Sequence, residues 1–156
     1  WRFRESFIRP GRDPRNWMSR TNLVANGIVP TGDAELSMYV LRNRDFPSCH
    51  FERMVLRLDG FVSANAGYSG GTLTTRPLEF SGSELQLNYS TSVMGSVMIE
   101  VLDSNGEVAA ASREMFGDDT DEVVPWESGD VSAPAVSPVR LRFRLKDADV
   151  YSFRFK

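Results

Sequence analysis

Between Val139 and Lys146 apolar and basic residues alternate without a break: Val139, Leu141, Phe143 and Leu145 interleave with Arg140, Arg142, Arg144 and Lys146. An extended strand puts every second side chain on the same face, so this order collects the apolar residues on one side and the cations on the other. A helix would scatter both sets around its circumference. The segment therefore predicts a strand with one dry face and one wet, basic face. Lys146-Asp-Ala-Asp149 then reads as a turn, and Tyr151, Phe153 and Phe155 as the apolar side of a returning strand, so the chain is expected to end in a half-buried hairpin.

At 156 residues the chain is one domain, or one domain plus a piece of another. A chain of that size buries about two thirds of its unfolded surface and needs neither disulfide nor metal for stability. Apolar residues make up 41% and charged residues 25%, which excludes the disordered and fibrous classes. The net charge of −3 gives no general pull toward nucleic acid or anionic membrane, so any charged partner must be recognised by a local patch. No run of about 18 apolar residues exists to span a membrane, and no secretory leader pattern stands at the start. The chain opens on Trp1, from which a processed or excised segment with a missing upstream partner is expected.

Short strand-like segments recur along the chain, bounded by Gly, Pro, Asn and Asp. Residues 1–20, with Pro10, Gly11, Pro14 and arginines at 2, 4, 9, 12, 15 and 20, are too broken for a helix and read as a draping loop. Strands are expected at 22–29, 36–41, 51–58, 61–65, 72–75, 77–80, 85–89 and 97–101, with a glycine-rich hairpin turn at 67–71. Asn105-Gly106 is a strong hairpin signal, because both residues tolerate positive φ, and 109–112 is the partner strand. The acidic segment 116–127 interrupts this pattern and Pro134 and Pro138 bracket another loop, so 116–138 reads as a long surface connection with at most one short strand at 122–126. No helical periodicity survives over 12 residues. The pattern predicts an all-β protein with minimal helix: an antiparallel, jelly-roll-like β-sandwich of two apolar-faced layers.

Candidate chemistry is thin. Gly67-Tyr68-Ser69-Gly70-Gly71 matches Gly-x-Ser-x-Gly, which leaves a small serine hydrolase as a remote alternative. No helix follows Ser69, however, and the sole histidine, His50, precedes it. Cys49 and His50 are adjacent, but neighbours on a strand point to opposite faces, so they read as a buried thiol beside a satisfied histidine. One His and one Cys are too few for a zinc site. Asp118, Asp119 and Asp121, with Glu122, are weak calcium candidates without EF-hand spacing. Asp33, Glu35 and Asp59 sit near turns and form no recognisable acid/base pair for glycoside hydrolysis. The residues that carry a binding hypothesis are Arg140, Arg142 and Arg144, joined by Tyr68 and Trp126. Guanidinium forks bind carboxylate or sulfate, and flat rings stack on sugar faces, a combination suited to an acidic polysaccharide. The competing reading is a solvated strand face, or one docked on a neighbouring domain.

Three strings carry a family resemblance: Asp13-Pro-Arg-Asn-Trp17, Leu56-Arg-Leu-Asp-Gly-Phe61 with Ala66-Gly-Tyr-Ser-Gly-Gly71, and Pro138-Val-Arg-Leu-Arg-Phe143 running into Lys146-Asp-Ala-Asp-Val-Tyr151. On these the chain resembles the C-terminal portion of large bacterial proteins related to glycoside hydrolase family 32, where a five-bladed β-propeller precedes a β-sandwich. The resemblance implies that residues 1–55 correspond to the closing segment of the propeller, adding strands or covering an edge, and that 56–156 are the sandwich. It further implies a secreted or periplasmic setting and no catalytic residue in this chain, because the family's catalytic carboxylates lie earlier in the propeller. The expected function is a non-catalytic, carbohydrate-binding accessory module without cofactor. The alternative is a purely structural domain packed on an upstream propeller.

Overall fold

The computed structural model describes residues 6–18, 22–131 and 138–156. Trp1, Arg2, Arg4 and Arg20 of the N-terminal loop, and Pro134 of the acidic connection, lie outside the described residues. The protein is all-β and antiparallel, and the one helix among the described residues is a single 3-10 turn, Pro14–Trp17. No described helix is long and apolar enough to cross a membrane. The chain divides into two compact units, Trp1–Leu58 and Asp59–Lys156.

The first unit is a meander. Strands β1 (Leu23–Val24) and β2 (Val29–Gly32) lie end to end along one edge of β3 (Glu35–Arg42), and β4 (His50–Arg57) pairs along the other edge from Glu35↔Arg57 to Arg42↔His50. Among the described residues these strands pair only with one another. The described part of the draping loop, residues 6–18, is tied down: Asp13 caps the 3-10 turn, Asn16 Oδ1 accepts the Asn43 N–H at 2.8 Å, and the Trp17 indole donates to the Gly11 carbonyl at 2.8 Å. Asn43 and Asp45, at φ 52° and 67°, open the β3–β4 turn in a left-handed conformation that Asn and Asp tolerate.

The second unit is built on two long strands. β7 (Leu85–Leu102) and β11 (Arg140–Phe155) pair along their whole length, from Phe155↔Leu85 to Arg140↔Leu102. Both bend in the middle. Between Lys146↔Ser96 and Ala148↔Thr91, β11 spends the one residue Asp147, at φ 41°, against Ser92-Val-Met-Gly95 of β7. The neighbour on the other side of β11 breaks at the same level: β5 (Ala64–Ala66) pairs with its far half, β6 (Gly71–Thr74) with its near half, and Gly67–Gly70 bulges out between them. The bulge is tied down by the Asp147 N–H, which donates to the Gly67 carbonyl at 3.0 Å.

The bend folds one sheet into two leaves. One comprises β5, the C-terminal half of β11, the N-terminal half of β7, and β9 (Asp118–Val123). The other comprises β6, the remaining halves of β11 and β7, β8 (Val108–Ser112) and β10 (Trp126–Ser128). Leu85, Leu87, Tyr89, Ala148 and Val150 from the first meet Val97, Ile99, Val101, Leu141, Phe143 and Leu145 from the second in one core, the sandwich interior that the alternation predicts.

Four sequence readings need correction. The terminal hairpin is a single bent strand: a reversal at 146–149 would pair 139–145 with 151–155, whereas both segments find partners on β7. The Gly67–Gly71 turn is a corner bulge in an interrupted edge strand, because Ala66 and Gly71 resume pairing on the same strand, opposite Ala148 and Leu145. Acidic residues 118–123 form a ladder strand, since pairing to β7 outweighs the low strand propensity of Asp. The segment 77–80 contributes only the isolated bridge Leu78↔Val139. A hairpin does form at Asn105-Gly106, but Gly106 alone takes positive φ, at 87°, with its N–H donating to the Asp103 carbonyl at 3.0 Å and the loop closed by the Asp103 N–H on the Glu107 carbonyl at 2.9 Å.

Gly95 is where the bend leaves least room. A Cβ there would lie 2.3 Å from the Asp147 carbonyl oxygen and 2.8 Å from that of Lys146, both backbone atoms that cannot swing away. Gly95→Ala is therefore expected to lower unfolding stability by about 1–3 kcal/mol, the usual cost of overpacking, in urea titrations. Gly106→Ala serves as comparison for positive-φ strain alone, because a Cβ at that position would have no atom within 4 Å of it. A Gly95→Ala protein as stable as the parent would contradict this picture of the corner.

Candidate functional site

The basic stripe lies on the outer face of the second leaf. Register sets the composition of that face: Arg142 sits opposite Glu100 on β7 and Thr74 on β6, Arg144 opposite Met98 and Thr72, Lys146 opposite Ser96, and Arg140 opposite Leu102. Among these paired neighbours Glu100 is the single acid. It is buried, with its side chain 10% exposed, and it holds two guanidinium groups at once. Arg142 Nε donates to Glu100 Oε2 in a very short contact, while Arg144 Nε reaches Oε2 at 3.2 Å and Arg144 Nη2 reaches Oε1 at 3.1 Å. Burial works to raise the Glu100 carboxyl, but the hydrogen bonds and positive charges of Arg142 and Arg144 outweigh it and hold the group below its ordinary value.

The consequence differs for the two arginines. Arg142 is consumed by the pair, with 28% of its side chain exposed, whereas Arg144 keeps 56% and has donors left to offer. Lys146 stands 4.8 Å above the ring centroid of Tyr68, a cation–π contact that ties the exposed corner bulge to the end of the stripe. Thr72 and Thr74 add exposed hydroxyls beside the guanidinium groups. The result is a basic strand face in which a buried carboxylate fixes the positions of two of the cations, Arg142 and Arg144.

Trp126 does not belong to this face. It lies on β10, paired with Ser112, and packs its partly buried ring against the core. From β6 to β10 the leaf runs four strand spacings, about 19 Å at the usual separation, so Tyr68 and Trp126 stand at opposite edges. The calcium reading is not supported either. Asp118 and Asp119 alternate across β9, and among the described residues no three His, Cys, Asp or Glu converge as metal ligands. Arg154, further along the basic strand, donates to Gln86 Oε1 at 2.7 Å and approaches Asp121 at 3.9 Å.

The nucleophile candidates fall in different units. Ser69 sits in the corner bulge of the second unit, while Cys49 and His50 belong to the first. Cys49 is exposed, contrary to the buried thiol expected, because it falls in the β3–β4 turn ahead of the strand. His50 is exposed too, its Nδ1 2.9 Å from the Ser48 carbonyl oxygen. Glu35 is ion-paired with Arg53, and Asp59 accepts the Ser152 hydroxyl at 2.6 Å.

Sequence reasoning missed two polar centres. Glu100 is visible as the polar residue between Ile99 and Val101, but its partners depend on a strand register that the sequence does not state. The buried Tyr89 hydroxyl donates to Glu122 of β9, and burial together with the Glu122 carboxylate raises its pKa above the ordinary tyrosine value. The only signal for it was the Leu85–Tyr89 alternation, which read as apolar.

Comparison with known protein families, with curated proteins and with solved structures finds no match for this chain.

A carboxyl depressed in the fold contributes stability above its unfolded pKa and loses it as pH falls through the folded value. For Glu100 that loss begins below its ordinary value of 4.5. Glu100→Gln is expected to cost about 1–3 kcal/mol at pH 7, because two guanidinium groups lose a charged acceptor, and to flatten the fall in stability between neutral and acid pH. Urea unfolding of parent and variant across that range is the check, and superimposable pH profiles would contradict the assignment.

Proposed function

We propose that the chain is a non-catalytic accessory module that binds an acidic polysaccharide on the outer face of the second unit. The observation that carries this reading is the Glu100-centred arrangement, which fixes two guanidinium groups yet leaves Arg144 more than half exposed. A free arginine on a strand face loses rotamer entropy when it engages a ligand, and one already held by a buried carboxylate loses less. Arg144 and Lys146 stand one two-residue strand repeat apart, about 6.6 Å, and Arg140 stands two repeats from Arg144, about 13 Å, so the cations can meet anionic groups set along an extended chain. Thr72 and Thr74 supply hydroxyls that donate to and accept from sugar hydroxyls. Tyr68 contributes an exposed ring at the end of the row. Arg142 acts in this scheme with Glu100 as a fixed support, and Trp126 as part of the core.

An exposed, wet site of this kind binds with a dissociation constant of about 10 µM to 1 mM. It favours a polymer that offers several carboxylates or sulfates in a row, and it leaves bond cleavage to another domain. Such a module fits the accessory role implied by the sequence resemblance.

Calorimetric titration of the whole chain with oligogalacturonate at low ionic strength tests the reading. Arg144→Ala should weaken binding about tenfold, the loss expected for one charge-assisted contact, and added salt should shrink the difference between parent and variant. Neutral oligosaccharides of the same length should bind far less. Equal affinity of parent and Arg144→Ala for the acidic oligomer would sink the proposal. Arg142→Ala is a poorer probe, since it strands a buried carboxylate and perturbs the fold as well as the surface.

A further inference from the structure

We infer that the basic face carries a second anion position, made by Arg140 together with Arg76, and that this position takes a sulfate ester, so the polymer bound there is a sulfated one. The inference rests on the glycan-binding reading above and names the ligand class of the same face. Arg76 plays no part in that reading. It lies beyond the end of β6, in the segment that makes the isolated bridge Leu78↔Val139.

Local pairing brings Arg76 to Arg140. The Thr75 N–H donates to the Leu141 carbonyl at 2.9 Å, and Leu78 exchanges both backbone bonds with Val139, at 2.7 and 3.0 Å. Arg76 and Pro77 on one segment therefore stand against the single residue Arg140 on the other, the two-against-one count of a β-bulge. The sequence suits that irregularity. Pro77 has no N–H to leave unpaired, and it holds the residue before it, Arg76, in an extended backbone conformation. The Leu141 N–H, which a regular ladder would give to the Thr75 carbonyl, goes to the Thr75 hydroxyl at 3.0 Å. Opposed residues on antiparallel segments stand about 5 Å apart, so two long side chains starting there can reach one anion.

Neither guanidinium group is spent. Both arginines are exposed, no ion pair or side-chain hydrogen bond engages either of them among the described residues, and the β7 neighbour of Arg140 is the apolar Leu102. The next outward position along β11 is the reverse, because there Glu100 neutralises Arg142 and also holds Arg144. Two like charges side by side without a carboxylate favour an anion between them. The donors decide its shape. A carboxylate has two oxygens, and one guanidinium fork engages both, whereas a sulfate ester offers three terminal oxygens in a tetrahedral array, enough for two forks at once. Arg144, two strand repeats from Arg140 at about 13 Å, is a single fork and accepts either group.

Calorimetric titration of the whole chain at low ionic strength, with a sulfated chondroitin oligosaccharide and with the same oligosaccharide after chemical desulfation, separates the two groups, since both forms keep their carboxylates. The parent should bind the sulfated form about tenfold more tightly, the gain expected from one further charge-assisted contact. Arg76→Ala should bring the sulfated form down to nearly the affinity of the desulfated one, while Arg144→Ala should weaken both forms and keep their ratio. Arg44→Ala, which removes an exposed cation from the first unit, should keep the preference and controls for overall charge. Equal binding of the two forms by the parent, a preference that survives Arg76→Ala, or one that Arg44→Ala abolishes as well overturns the inference and leaves the glycan-binding reading standing. A parent that binds neither form overturns both.

Discussion

The continuous pairing of β7 with β11 is the constraint on which the second unit depends. Neither strand is interrupted in its hydrogen bonding for long, yet together they serve both leaves of a sandwich, so the ladder has to turn a corner without being cut. It does so by unequal spending of residues. β11 passes the corner with Asp147, β7 with the segment that ends in Gly95, and the outer edge strand with the Gly67–Gly70 bulge. The longest path around a bend needs the most chain, and the tightest approach needs the residue without a Cβ. One sheet therefore supplies both layers of a single core.

Side-chain parity follows from the same irregularities. Along β11 the buried positions are odd up to Leu145, even at Ala148 and Val150, and odd again at Phe153 and Phe155, which pack against the core. Each switch coincides with a register shift, at Asp147 and again at Tyr151. A one-residue slip turns a strand's apolar set toward water unless a bulge restores it, and here two bulges keep the dry side dry on both leaves. The basic face is the reverse of that arrangement. Because Leu141, Phe143 and Leu145 are required inside, Arg142, Arg144 and Lys146 stand outside, and the same register brings Glu100 between two of them.

The alternation at 139–146 and the Asn-Gly turn at 105–106 were legible because their physics is local. A period of two residues and a tolerance for positive φ need no partner to be identified. The all-β class follows from many such signals together. What local rules misread were the places where distant pairing decides. Lys146-Asp-Ala-Asp149 has the composition of a turn, and only the presence of β7 along both halves makes it a bulge. The acids at 118–123 have poor strand propensity and become a strand because β7 has an edge to fill. Trp126 read as a surface ring and is partly buried against the core, and Cys49 read as buried and lies in an exposed turn. At the candidate site, Arg140, Arg142 and Arg144 were placed on one face correctly, but the division of labour between Arg142 and Arg144 rests on Glu100, which lies forty or more positions away in sequence.

Nuclear Overhauser contacts between backbone protons of the whole chain test the central claim most directly, because they report which strands lie opposite which. Residues 140–145 should show cross-strand contacts to 97–102, and residues 152–155 to 85–88, all from one unbroken C-terminal strand. Contacts instead linking 140–145 with 151–155 would mean a local hairpin, and the bent ladder, its corner and the basic face built on it would fall together.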